Sequence, residues 1–228
     1  MKKLFVICSI LCISAGLSAQ KGKSFTVPAG SSVEACIPTA DRYRYTEFTS
    51  GKVLFLDGKK TEAKLNYNFL AKEMEYLQGK DTLAIANENE ILQIVVAGDT
   101  FLIDKGYLEL IFSGKVKVAA KQYYNLKEVQ KKDSYGTAGS SSATDSYSSI
   151  QANGKTYSLI TNEDRVYQKI SEYYIATTSG GFVPFTKKKV MQLFPQEKDT
   201  IQDYLKSSKI NFESKDDLLR LAGYLSDF

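Results

Sequence analysis

Glu73 and Glu75 are the residues whose type and spacing come nearest to a catalytic pair. Two positions apart on an extended strand, their side chains share one face about 7 Å from each other, within reach of the carboxylate pairing used in glycoside hydrolysis. Glu62, Lys64 and Lys72 surround them with compensating charge, so the pair reads first as the solvated side of a hairpin. The chain contains no histidine. That removes the Ser-His-Asp and Cys-His nucleophiles and every imidazole ligand for a metal. The one Ser-x-x-Lys spacing runs from Ser18 to Lys21, and neither a phosphate-binding P-loop nor G-x-G-x-x-G occurs. Asn87 to Glu90 is rich in oxygen ligands but lacks the glycine and acidic spacing of a calcium loop. Lys187, Lys188 and Lys189 form a basic cluster that reads as a solvated first helical turn. No catalytic, metal-binding or cofactor-binding residue is assigned on these grounds.

The aromatic residues suggest binding instead. Fifteen tyrosines and no tryptophan include the adjacent pairs Tyr123-Tyr124 and Tyr173-Tyr174. A tyrosine joins an apolar ring to a polar tip, so these four are the candidate partner or ligand surface, stacking platforms for a sugar or a peptide, although tyrosine is also simply a good strand residue.

The elements that must position them are strands. Asp57-Gly58 separates Val53 to Leu56 from the alternating Ala63, Leu65, Tyr67 and Phe69, which predicts a tight primed hairpin turn. Met74 and Tyr76 alternate with Glu73 and Glu75, Gly79-Lys80 turns the chain, and Leu83 and Ile85 resume the period of two. Residues 48–86 therefore predict about four antiparallel strands. Ile91 to Val96, Phe101 to Ile103, Tyr107 to Phe112, and a strand from Val116 toward Val129 continue the pattern, with turns about every eight to twelve residues. Asn153-Gly154 signals a further hairpin, and Val166 to Ile175 a long strand.

Residues 20–42 carry Pro28, Gly30 and Pro38 and predict an extended lead-in with a short edge strand near Ser24 to Val27 and little burial. The Ser/Gly/Thr tract within 131–150 has too few large apolar side chains to offset the cost of ordering it, and predicts a flexible loop inside one domain. From Thr186 the apolar period becomes helical. Val190, Leu193 and Phe194 share a face, Pro195 is expected as the first residue of the next helix, and Ser214 is expected to cap a helix striped by Leu218, Leu221, Ala222 and Leu225. The predicted architecture is α+β, mainly β. It is an antiparallel meander forming a curved sheet, sandwich or partly open barrel, with two to three helices over 186–228 packed on it.

Lys2-Lys3, an apolar run from Leu4 to Ile13 and the small residues Ser18-Ala19 have the layout of a signal peptide over 1–19, cleaved ahead of a single β-rich domain over 20–228. The run is about ten residues, short of the roughly 20 a spanning helix needs. Cys8 follows Ile7 and Cys12 follows Leu11, which does not fit lipid attachment. Cys36 is the cysteine left after cleavage, so no disulfide within the processed chain is expected. The formal charge of +4 falls further with loss of Lys2 and Lys3, too near neutral to imply nucleic acid.

Phe48-Thr-Ser-Gly-Lys-Val-Leu-Phe55, Leu65-Asn-Tyr-Asn68, Glu73-Met74 and the tail from Lys209 to Leu218 resemble a group of exported bacterial proteins of unknown function. That resemblance implies an envelope location and a β-rich fold, and transfers no site. The expectation is an exported module, periplasmic, outer-membrane associated or secreted, that binds an envelope protein or polymer through its sheet. A carrier of a small apolar ligand or lipid in a barrel cavity is the alternative, and a carboxylate glycosidase the third reading.

Overall fold

A computed structural model describes residues 22–132, 138–142, 149–152, 155–158, 163–178 and 180–228, with side chains described outside 131–162. The expected signal peptide lies outside these residues. After β1 (Ser24–Val27) come two single-turn helices, α1 (Val33–Cys36) and α2 (Thr39–Arg42). A first group of strands follows: β2 (Thr49–Phe55), β3 (Lys60–Asn68), β4 (Glu73–Gln78) and β5 (Asp81–Ala84). One 3₁₀ turn, Glu88–Glu90, leads to β6 (Ile91–Val96), β7 (Asp99–Ile103), β8 (Tyr107–Ser113) and the long β9 (Val116–Lys132). Then come β10 (Ala138–Ser142), β11 (Ser149–Ala152), β12 (Lys155–Ser158), the long β13 (Asp164–Thr177) and β14 (Val183–Pro184). Three helices close the chain: α3 (Lys187–Leu193), α4 (Lys198–Ser207) and α5 (Lys215–Leu225).

The main sheet is antiparallel in the order β1-β13-β9-β8-β7-β6-β2-β3-β4-β5, with β10 added to β9 and β14 to β13. Two meanders, β2 to β5 and β6 to β9, are joined edge to edge because β6 pairs with β2 rather than with β5. The sheet is not closed. It nevertheless curls far enough for the end of β3 to meet β9, five strands away. Phe69 receives a hydrogen bond from Tyr124 N–H at 2.9 Å, and its own N–H donates to the Arg42 carbonyl at 2.7 Å. β8 pairs with β9 through Ala120 and β10 pairs from Glu128, which leaves the middle of β9 free to take this contact.

The hairpin at Asp57-Gly58 differs in detail from the expected two-residue primed turn. Phe55 N–H donates to Lys59 C=O and Gly58 N–H to Phe55 C=O, so Leu56, Asp57 and Gly58 form a three-residue loop. Gly58 alone among these three has a positive φ, at +86°, which is the conformation that bulged three-residue loops place on glycine. The lead-in is also more buried than its composition suggests. Val27 and Val33 are fully buried and Ile37 is 1% exposed, because β1 pairs with β13 and the turn of α1 folds Val33 and Ile37 into the same apolar cluster. Pro195 does not start a helix; α4 begins at Lys198 after an N-cap at Glu197, since the chain needs Pro195 to Glu197 to turn away from α3. In the Ser/Gly-rich tract, the described segments Ala138–Ser142 and Ser149–Ala152 are strands, which need only main-chain partners. The expected turn residues Asn153 and Gly154 lie outside the described residues, while their flanking arms pair with Ala152 opposite Lys155.

Two apolar clusters result. Inside the curl, Leu65, Tyr67, Phe69, Met74, Ile94, Phe101, Tyr107 and Tyr167 pack together, with the Tyr67 ring 5.5–5.8 Å from those of Phe69, Phe101 and Tyr107. On the lower half of β9 and β13, Val116, Val118 and Ile175 are covered by Val190, Ile201, Leu218, Leu221, Ala222 and Leu225. Ser214 caps α5 as expected, its hydroxyl accepting from Asp217 N–H, and Leu218, Leu221, Ala222 and Leu225 are fully buried.

Candidate functional site

A cleft runs along β13 beside the lower cluster. Strand alternation assigns its floor. Lys169, Ser171 and Tyr173 project on one face of β13, opposite Tyr124, Gln122 and Ala120 of β9. Glu109 of β8 registers with Ala120 and joins the same face. The cleft, of about 940 Å³, lies over this floor and wraps the edge of β13 to take in Ile170, Glu172 and Tyr174, with Phe185 after β14 and Phe212 and Lys215 at the start of α5 as its walls. A side pocket of about 300 Å³ opens toward the curl and shares Gln122, Lys169, Tyr173 and Lys215, with Arg44 and Phe69 as its far wall.

Lys169 stands at the junction of the two spaces. Its ammonium sits over the Phe69 ring, 3.3 Å from the centroid, a cation–π contact. Burial first, and the neighbouring Arg44 second, push its pKa down to about 8. The carboxylates nearby are engaged elsewhere. Glu109 accepts from Arg44 Nε at 2.9 Å and from Nη2 at 3.0 Å, Asp99 also accepts from Arg44, and Asp41 pairs with Lys23 at 2.7 Å. Among the described residues no carboxylate pairs with Lys169. Beside it, Gln122 Nε2 donates to the Ser171 hydroxyl at 3.0 Å, so both side chains present a fixed polar patch.

The four tyrosines expected to form one surface are divided by the same alternation. Tyr124 is buried, its ring edge-on to Phe25 with centroids 5.9 Å apart, and serves the seam of the curl. Tyr173 is half-buried and walls the cleft, and Tyr174, from the other side of the strand edge, lines it too. Tyr123 and Tyr174 project from the opposite face, where both hydroxyls donate to the Glu172 carboxylate, at 2.7 and 2.8 Å. The aromatic pairs fall on opposite faces because they are adjacent residues of strands.

Glu75 corrects a second expectation. It is 5% exposed rather than solvated, accepting from Tyr43 Oη at 2.7 Å and Asn68 Nδ2 at 2.9 Å. Residues 42–44 fold over the end of β3, with Tyr43 bridging to Asn68, and so cover the face of β4 that a free hairpin would expose. Burial raises the Glu75 pKa against these two hydrogen bonds, which lower it. Neither Glu73 nor Glu75 lines the cleft.

Lys169, Gln122, Arg44 and Glu109 were not singled out by residue pattern. The available signal was the period of two along Tyr167, Lys169, Ser171, Tyr173 and Ile175, which sets a lysine and a serine on an otherwise apolar line. No family model, curated protein or solved structure matches the chain, so the reading of this site rests on its own geometry.

Proposed function

We propose that this protein is a non-enzymatic binding module of a bacterial cell envelope, exported and cleaved near Ala19, which holds a partner protein in the cleft along β13. The observation that carries the reading is the cleft itself. Its floor is the longest strand pairing of the sheet, its apolar wall comes from the lower cluster through Tyr173, Phe185 and Phe212, and the side pocket beside it reaches Phe69 of the upper cluster. Concave sites of a few hundred Å³ or more, with apolar walls and a small number of placed polar groups, are where ligands are held. The absence of histidine from the sequence keeps common acid–base chemistry out of the reading. The carrier alternative has less support, because the interior of the curl is filled by Tyr67, Phe101, Tyr107 and their neighbours.

A photo-crosslinking residue placed at Lys215, exposed on the cleft rim, is compared in the native host with one at Lys52, exposed on the distant β2. The expected result is a discrete adduct from position 215 alone. Equal adducts from both positions, none from either, or an apolar small molecule released from the purified protein on denaturation would overturn the reading.

A further inference from the structure

We propose that Lys169 is the anchoring point for a carboxylate in this cleft, and that the ligand is an extended peptide segment of the partner whose main chain lies beside the edge of β13 from Ile170 to Glu172, which no strand covers among the described residues. The inference rests on the binding-module reading of the same site and adds the chemistry of the ligand.

The first support is the distribution of charge. Around Lys169 stand Arg44 from the segment after α2, Glu109 from β8, Lys23 beside β1, Asp41 from α2, and Glu213 and Lys215 ahead of α5. Glu172 also lines the cleft, but it projects from the other face of β13 and accepts from the hydroxyls of Tyr123 and Tyr174. Glu109 and Asp41 already have cations, and Glu213 is exposed on the rim. Lys169 is thus a half-buried cation with an aromatic ring beneath it and no counter-ion among the described residues. Lys215 and Glu213, exposed together on the rim, also lack an ion pair among the described residues, so Lys169 is the unpaired cation set inside the cleft, a seat for one carboxylate. Burial disfavours the ammonium and lowers its pKa, and an arriving carboxylate relieves that cost.

The second support is the backbone beside it. β1 stops pairing at Ser24 opposite Gln168, with Lys169 N–H donating to Lys23 C=O at 2.8 Å. β14 pairs from Pro184 opposite Tyr174, with Phe185 N–H donating to Tyr173 C=O at 2.8 Å. Between these contacts, Ile170 to Glu172 have no strand on that side among the described residues. Alternation directs the Ser171 N–H and C=O into this gap, within the wall of the cleft. A peptide main chain gains hydrogen bonds at such an edge, and side-chain or terminal carboxylates then select it. This main-chain slot favours a peptide over an acidic polysaccharide.

Random heptapeptides displayed with free C-termini are the probe, selected against the full-length wild-type protein and against Lys169→Gln. Wild type is expected to recover peptides rich in Asp and Glu, or sharing a C-terminal residue, and Lys169→Gln to recover neither class. A synthetic copy of a recovered peptide should bind Lys169→Gln about tenfold or more weakly and Lys169→Arg nearly as well as wild type, with affinity falling as salt rises. Amidating its C-terminus separates a terminal from a side-chain carboxylate. Calorimetry near pH 8 should show proton uptake on binding, a signature that a purely structural lysine would not give. Recovery of the same peptides by both proteins, recovery without acidic preference, or binding of polygalacturonate but of no peptide overturns the proposal. If position 215 still crosslinks a partner under those outcomes, the inference falls and the binding-module reading stands.

Discussion

The two apolar clusters are built by different means, and the cleft exists because of that difference. The lower one is a helix stripe laid on a sheet face: Leu218, Leu221, Ala222 and Leu225 at helical spacing against Val116, Val118 and Ile175. The upper one is a sheet folded toward itself, in which Tyr67, Phe69 and Phe101 are brought near Tyr124 and Tyr167 of distant strands. β9 and β13 run through both, and the polar stretch Gln122, Lys169 and Ser171 lies where one cluster gives way to the other. A region that needs neither cluster's packing is free to carry charge.

The sharpest way to break the comparison is Leu221→Ala. Leu221 is fully buried in the lower cluster, and truncation of such a residue typically costs about 2–5 kcal/mol, a large share of the roughly 5–15 kcal/mol available to a domain. Because β9 and β13 are common to both clusters, the midpoint is expected to fall together in far-ultraviolet dichroism, which follows the backbone, and in near-ultraviolet signals from the tyrosines of the curl. A tyrosine signal that melts at the wild-type midpoint would show that the clusters unfold separately.

Tyr43→Phe probes the upper cluster alone and should cost less, about 1–3 kcal/mol, since it removes a donor from a buried carboxylate without leaving a large cavity. Its pH dependence has a definite sign. Burial raises the Glu75 pKa in the folded state, so the folded protein binds the proton more readily than the unfolded chain. The stability from that proton is fully present below the ordinary carboxylate pKa and is lost as pH rises through the raised folded value. Removing the Tyr43 hydroxyl raises that value further. The destabilisation by Tyr43→Phe is therefore expected to be larger near neutrality than in mild acid, by denaturant titration at each pH. An effect independent of pH would mean that Glu75 stays ionised without its tyrosine.

How much of this was legible in the residues follows the same division. The α5 stripe and its Ser214 cap are local, set by side chains three and four positions apart, and they emerged where periodicity placed them. So did the hairpins of β2 to β5, whose alternation is local too. The curl is not local. Nothing near Glu75 announces that Tyr43 and Asn68 will cover it, and nothing in the Pro- and Gly-containing lead-in announces that Val27, Val33 and Ile37 will be buried. The tyrosine pairs were noticed for their type, but one-residue alternation sends the members of each pair to opposite faces, which a reading by type alone overlooks. Lys169 lies on an apolar line, and only the pairing of Asp41 with Lys23 and of Glu109 with Arg44 shows that its charge is unanswered among the described residues.

The smallest expected effect is also the one that bears most on the cleft. Lys169→Met replaces a half-buried ammonium by an apolar side chain of similar length that can still rest on the Phe69 ring. In the unfolded chain this lysine titrates near its ordinary value of 10.5, whereas in the folded protein it titrates at about 8. Below about pH 8 both states carry the proton, and the folded state bears the whole cost of the half-buried charge. Between about 8 and 10.5 the folded state releases the proton while the unfolded chain keeps it, so wild-type stability rises with pH through that window. The methionine variant has no such slope. It is expected to melt a few degrees above wild type at neutral pH, with the advantage shrinking toward pH 10.5. Gains of this kind, from removing a residue that stability does not favour, mark positions kept for function at some cost to the fold. A variant that melts below wild type at neutral pH would show instead that the lysine pins Phe69 and the seam of the curl, making it part of the upper cluster's packing rather than a group held ready for a ligand.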